Sequence, residues 1–189
     1  VFDSGELKQR AFENRNPGDF QGYVFNLRKP KFQDVRVRQA IGLAMDFEWM
    51  NRQLFYNAYT RVRGYFVGSP FEAQGLPQPD ELALLAPWRD KLPAAVFDQP
   101  VPMPPVTSLD PASGHTLRDH LRRARDLLAQ AGWTYRDGAL RNAQGQAFTL
   151  EFLDNSGAMA RVVTPLAKNL EKLGVQVQVR VVDFAVLQK

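Results

Sequence analysis

The stretch FTLEFLDNSGAMARVVTPLAKNLEKLGVQVQVRVV, residues 148–182, decides the fold. Phe148 to Leu153 alternates apolar and polar positions, the period-two pattern of a strand with one buried face. Asp154-Asn155-Ser156-Gly157 is a cluster of turn-forming residues, expected to cap the helix that follows. Met159, Val162, Val163, Leu166, Leu170 and Leu173 then recur at helical spacing, and Gly174 stops the run. Pro165 lies inside it and must kink the helix or remove one backbone hydrogen bond. Val175 to Val182 alternates Val with Gln or Arg, a half-exposed strand. Strand, helix and strand in this order predict a βαβ unit with parallel strands and a right-handed crossover. The fold class is therefore α/β, a mixed sheet flanked by helices.

Immediately upstream, Thr116 and Asp119 form a capping box. Leu117, Leu121, Ala124, Leu128 and Ala131 mark one helix face, ended by Gly132. Trp133 opens a hairpin over Thr134 to Asn142 that turns at Asp137-Gly138. Farther out, prolines at 70, 77, 79, 87, 93, 100, 102, 104, 105 and 111 leave room for one short helix around Asp80 to Trp88, with Pro79 at its first position. Residues 98–114 are expected to be an irregular, Pro-rich surface loop on a single lobe spanning 1–189. Asp34 and Asp46 are expected to cap two successive helices, with Val37, Ile41 and Ala44 inward on the first and Met50 and Leu54 on the second. Tyr23 to Leu27 is rich in aromatic and β-branched residues and reads as a strand ended before Pro30. Residues 6–22 read as an irregular lead-in.

Composition limits the chemistry. The 44% hydrophobic fraction of 189 residues, with 13 Phe, is enough to build a core. No apolar run approaches the roughly 20 residues of a membrane helix, and no secretory signal is expected in this sequence. The absence of Cys excludes disulfides, thiolate catalysis and Cys-based zinc sites. His115 and His120 are five apart, not the i, i+4 spacing of a helical metal pair, and are expected to be solvated surface residues. No phosphate-cradling glycine loop, G-x-S-x-G elbow or paired catalytic carboxylates occur, so no catalytic residue, metal ligand or cofactor is assigned and an enzyme is not expected. Net charge is +4, and the Arg118 to Arg125 stretch is interleaved with acids. Asp119 opposite Arg123 and Arg122 opposite Asp126 predict a solvated, salt-bridged face. The alternative is a basic interaction module that binds anionic partners or nucleic acid through this helix.

Phe25-Asn26-Leu27, Phe32, Asp34-Val35-Arg36-Val37-Arg38-Gln39-Ala40-Ile41 and Ala44-Met45-Asp46 together resemble a signature of the extracellular solute-binding proteins of family 5. These are oligopeptide, dipeptide and nickel binders of ABC importers. Leu127 to Trp133, Asp137-Gly138 and Asn169 to Val175 are similar to later blocks of the same family, in order, so the resemblance covers residues 20–189. Phe47 to Asn51 and the insert from Gly75 to Phe97 resemble the branch that serves broad-range peptide and microcin C uptake.

The resemblance implies a type II periplasmic-binding-protein fold, of which this chain is lobe II. It implies a peptide ligand held between two lobes, partnership with the N-terminal lobe of the same protein and with an ABC permease, and a periplasmic location. Both chain ends would then lie at a hinge. It also implies that one face of 21–27 and the loop 154–157 border the ligand cleft. Tyr23 and Phe25 are candidates to stack on ligand, or equally core residues. Asn155 and Ser156 are candidates to hydrogen-bond it, with Ser156 as a plain helix cap the alternative. Arg36 and Arg38 are assigned a structural role. Many peptide-binding members carry an acidic residue just after this loop, where this sequence has Gly157-Ala158-Met159; a modified or differently anchored peptide is therefore implied as well.

Overall fold

A computed structural model describes residues 4, 5, 7, 8, 10, 12, 20–155 and 157–187. In chain order its helices are α1 (Val35–Leu43), α2 (Phe47–Phe55), α3 (Pro79–Leu85), α4 (Ala95–Asp98), α5 (Leu117–Gln130), α6 (Ala160–Glu171) and α7 (Phe184–Leu187). Its strands are β1 (Thr134–Arg136), β2 (Ala139–Arg141), β3 (Thr149–Asp154) and β4 (Gln176–Val181). They fall into two compact units. One comprises Val1–Gly22 with Val62–Met103; the other, Tyr23–Arg61 with Pro104–Lys189.

The second unit holds the core, and local signals set its elements. The Asp34 carboxylate accepts from Arg36 N at 2.8 Å and starts α1. It is also paired with the Arg36 guanidinium at 2.7 Å, which holds its pKa below the usual carboxylate value. Asp46 accepts from Trp49 N at 3.1 Å and starts α2. Thr116 and Asp119 form the expected capping box of α5, whose Ala124 and Leu128 are buried where the helix packs on α1. The hairpin turns through Asp137 (φ 51°) and Gly138 (φ 75°), two left-handed residues as a tight hairpin requires.

β3 and β4 are parallel, in register from Thr149↔Gln176 to Asp154↔Val181. Between them α6 buries Val162, Val163, Leu166 and Leu170 and keeps Pro165 inside the helix. Gly174 closes this crossover at φ +84°. A Cβ there would lie 2.7 Å from Leu140 N and 2.5 Å from the Tyr135 ring, so only glycine fits. Leu140 N donates to Gly174 O (2.8 Å), and Phe148 N to Leu140 O (2.7 Å). The mixed sheet is thus realised as a parallel and an antiparallel pair joined by backbone bonds at Leu140. Phe148 sits where they meet, fully buried, with Trp133 edge-on at 4.6 Å. Buried Asn169 donates from Nδ2 to Ala44 O at 3.0 Å and ties α6 to the joint between α1 and α2.

The other unit has no buried residue among those described in 62–103. Its order is local. Glu81 accepts from Gln78 N at 2.7 Å to cap α3, and a 3₁₀ turn, Ala86–Trp88, follows. Glu72 pairs with Arg63 at 3.2 Å, and Arg89 stacks on Phe97 at 4.1 Å. Residues 99–110 carry neither helix nor strand, and Pro111–Ser113 forms a 3₁₀ turn capped by Asp110.

Four local expectations are corrected. Tyr23 to Leu27 is not a strand, because no described strand lies beside it to complete a ladder. His120 is buried rather than solvated, because it lies on the apolar face of α5. The N-cap of α6 is Met159, without a side-chain cap, because the 3₁₀ turn Gly157–Met159 intervenes after the 154–157 loop. Arg122 pairs with Asp119 at 3.5 Å, an i, i+3 pair, because the Asp119 carboxylate is held toward the helix start by Thr116. The chain ends expected at a hinge, Val1 and Lys189, lie outside the described residues, as does most of 6–22.

Candidate functional site

Parallel α/β sheets bind ligands beyond the carboxyl ends of their strands. Here those ends are Asp154 and Val181, side by side, with Val182 N donating to Asp154 O at 2.7 Å. Asp154 is on the buried face of β3 and Asn155, next in line, is exposed. The register puts Val177, Val179 and Val181 on the same face as Leu150, Phe152 and Asp154. Exposure along that valine row rises toward the carboxyl end, from half-buried Val177 to 56% at Val181. An apolar strip therefore opens beside the strand ends, continued in the sequence by exposed Phe184 and Val186.

Tyr23 lies at this edge. Its ring meets Phe152 edge-on at 5.1 Å. Burial, and secondarily the charge of Asp154, push its phenol pKa up to about 12. Near neutral pH Tyr23 presents an un-ionised O–H at this edge. The structure thus brings Tyr23 and the start of the 154–157 loop together. Phe25 is placed differently: its ring packs on Phe32 at 5.4 Å, half-buried against the core. It also lines an open groove of ≈ 650 Å³ with Val24, Asn26, Leu27, Arg28 and Gln33. Asn155 is free of the core, and Ser156 lies outside the described residues.

Arg28 and Gln33 were not singled out from the sequence, and nothing in their spacing marks them. Gln33 Nε2 donates to Leu27 O at 3.2 Å, and Arg28 N to Asn26 Oδ1 at 3.1 Å, so both shape the backbone along the groove. Arg36 and Arg38 act structurally. Arg36 grips Asp34, and Arg38 Nη1 donates to Phe32 O at 2.6 Å and Gln33 O at 2.9 Å. Lys31 Nζ donates to Thr149 O and lies over the Phe32 and Phe148 rings, with its pKa lowered by burial and by Lys29. A smaller cleft of ≈ 250 Å³ is lined by Asp46, Arg52, Thr107, Ser108, Leu109, Thr116, Leu117 and Arg118. Among the described residues no group of three His, Cys, Asp or Glu is placed to hold a metal ion. Among them, too, no helix is long and apolar enough to cross a membrane.

This architecture is shared with part of a solved oligopeptide-binding protein, AppA of Bacillus subtilis in complex with a nonapeptide. The TM-score is 0.56 at 19% identity, covering 87% of this chain and 26% of that one. The fold is that of the type II periplasmic binding proteins.

Residues 2–189 match the model for bacterial extracellular solute-binding proteins, family 5 middle region, and the chain belongs to that family. It is 39% identical over 183 residues to the uncharacterized protein YejA of Escherichia coli (strain K12), covering 96% of this chain and 30% of that protein. It is 37% identical over 182 residues to the probable peptide-binding protein YejA of Agrobacterium fabrum, covering 95% and 29%. The chain therefore spans about 30% of the length of these relatives.

Proposed function

We propose that this chain is one lobe of the substrate-binding component of an ABC importer, and that the whole protein traps oligopeptides or peptide-like compounds between two lobes in the periplasm. Its partners would be the N-terminal lobe of the same protein and the importer's permease. The observation that carries this reading is the placement of Tyr23 against Phe152 at the edge where two parallel strands end at Asp154 and Val181, in a chain of this family.

The chemistry of that edge suits a peptide. Residues 23–25 are not paired with any described strand, so their amides and carbonyls would be open to a peptide main chain. Tyr23 offers an un-ionised hydroxyl, and Asn155 both a donor and an acceptor. The valine strip and Phe25 supply apolar surface for side chains. Ser156 and the turn into α6 would add polar contacts for a carboxylate.

Mass spectrometry of ligand that co-purifies with the longer protein is the direct test. The reading expects peptides or peptide conjugates; ligand of any unrelated class contradicts it. Tyr23→Ala and Asn155→Ala, each removing a hydrogen bond, should weaken binding of the recovered ligand by up to about tenfold. Unchanged affinity in both would place the site elsewhere.

A further inference from the structure

The end of α2 meets the start of α6 in an aromatic corner built around Phe55. The Phe55 ring takes Tyr59 edge-on at 4.7 Å. The Arg161 guanidinium lies over the same ring, 6.0 Å from its centre. Phe55 is partly buried, while Tyr59 and Arg161 are exposed.

The turn that carries this corner is locked. Tyr56 and Asn57 are successive left-handed residues, at φ 53° and 60°, a conformation that a bulky side chain rarely adopts. Asn51 holds the turn from within α2. Its Nδ2 donates to Tyr59 O at 2.7 Å, its Oδ1 accepts from Tyr59 N at 3.1 Å, and its carbonyl accepts from Asn57 N at 2.9 Å. Ala58 N donates to Phe55 O at 2.8 Å. The rings therefore stand on a backbone that needs no further ordering to make a contact.

Topology puts the corner at the same end of the unit as the candidate edge. In a strand–helix–strand unit with parallel strands the helix runs back against them, so α6 starts where β3 stops. Arg161 is on the first turn of α6, shortly after Asp154 and Asn155 in sequence. A cation is ill placed there, because the helix dipole favours negative charge at that end. Among the described residues no carboxylate is paired with it. Its contact with Phe55 steadies the guanidinium without engaging the N–H fork that matches a carboxylate.

We propose that Arg161, backed by Phe55 and Tyr59, anchors a carboxylate of the bound peptide. This rests on the peptide reading above. It supplies an anchor in a chain whose Gly157-Ala158-Met159 offers no acidic residue to an amino terminus: the ligand is held by an anionic group instead.

The test uses the longer protein and three mixed-sequence tetrapeptide pools. One holds free acids without Asp or Glu, one holds the same peptides as carboxyl-terminal amides, and one holds amides that carry an Asp or Glu. Calorimetry should show at least one carboxylate-bearing pool binding about tenfold tighter than the plain amides. The pool that gains identifies the carboxylate as terminal or side-chain. Arg161→Gln should remove the gain and leave the plain amides unchanged; Arg161 is exposed, so the core is untouched. Arg125→Gln, which removes an exposed arginine of α5, should keep the gain. Three results would overturn the anchor and leave the peptide reading standing: peptide binding with no gain in either carboxylate pool, a gain that survives Arg161→Gln, or one lost equally in Arg125→Gln. No binding of any pool by the unaltered protein would sink the peptide reading and the anchor with it.

Discussion

The two units use apolar residues in opposite ways. In the unit that contains α1, α5, α6 and the strands, Phe148, Leu128, Leu140 and Leu170 are all less than 2% exposed. In residues 62–103, Phe71, Leu84 and Tyr65 are 79%, 77% and 74% exposed. The first unit is specified by long-range packing of periodic side chains. The second is specified by punctuation: prolines, a capping box and a few stacked pairs. Truncating side chains should therefore be costly in one and nearly silent in the other.

The largest effect expected is from Phe148→Ala, which empties the junction of the two strand pairs. It should destabilise the chain by about 3–5 kcal/mol in denaturant unfolding. A loss below about 1 kcal/mol would mean that the core is not where the account puts it. Gly174→Ala comes next. It combines a left-handed backbone with a clash against Leu140 N, and should cost more than about 1 kcal/mol, visible as a lowered Tm. A neutral result would show that the crossover closes differently.

A third measurement follows ionisation. Tyr23 has a pKa raised to about 12, so its contribution to stability is complete below the ordinary 10.0 and is lost as pH rises through 12. Ultraviolet titration of the phenols should show a late step that Tyr23→Phe removes. A Tyr23 step near 10 would mean that its hydroxyl is not buried at this edge, and would dissolve the candidate site. The smallest effect is expected from Phe71→Ala, within about 0.5 kcal/mol. A loss above 2 kcal/mol would show that 62–103 has a core of its own, and the contrast would fail.

What the sequence disclosed follows the same division between local and long-range signals. The caps Asp34, Asp46 and Thr116, the Asp137-Gly138 turn and the Gly132 and Gly174 stops each depend on neighbours within a few residues, and each was readable. The strand–helix–strand order of 148–182 was readable for the same reason. Tyr23 to Leu27 was misread because β propensity describes a residue's fit to a sheet, not the presence of a partner. His120 carried a signal that was passed over: it precedes Ala124 by four and Leu128 by eight, on the buried stripe of α5. Within the candidate site, the turn residues at 154–157 were marked by composition. The meeting of Tyr23 with Phe152 and Asp154 was not, since nothing local encodes it.

The central claim is that ligand is held at an edge this lobe shares with the rest of a longer protein. Isothermal titration calorimetry with a defined peptide pool, on residues 1–189 alone and on the longer protein, tests it most directly. Closure of two lobes supplies contacts and excludes water that one lobe cannot. The account predicts heat and saturable binding from the longer protein, and weak or undetectable binding from the lobe. Equal affinity in the two would place the whole site within residues 1–189 and contradict the shared edge.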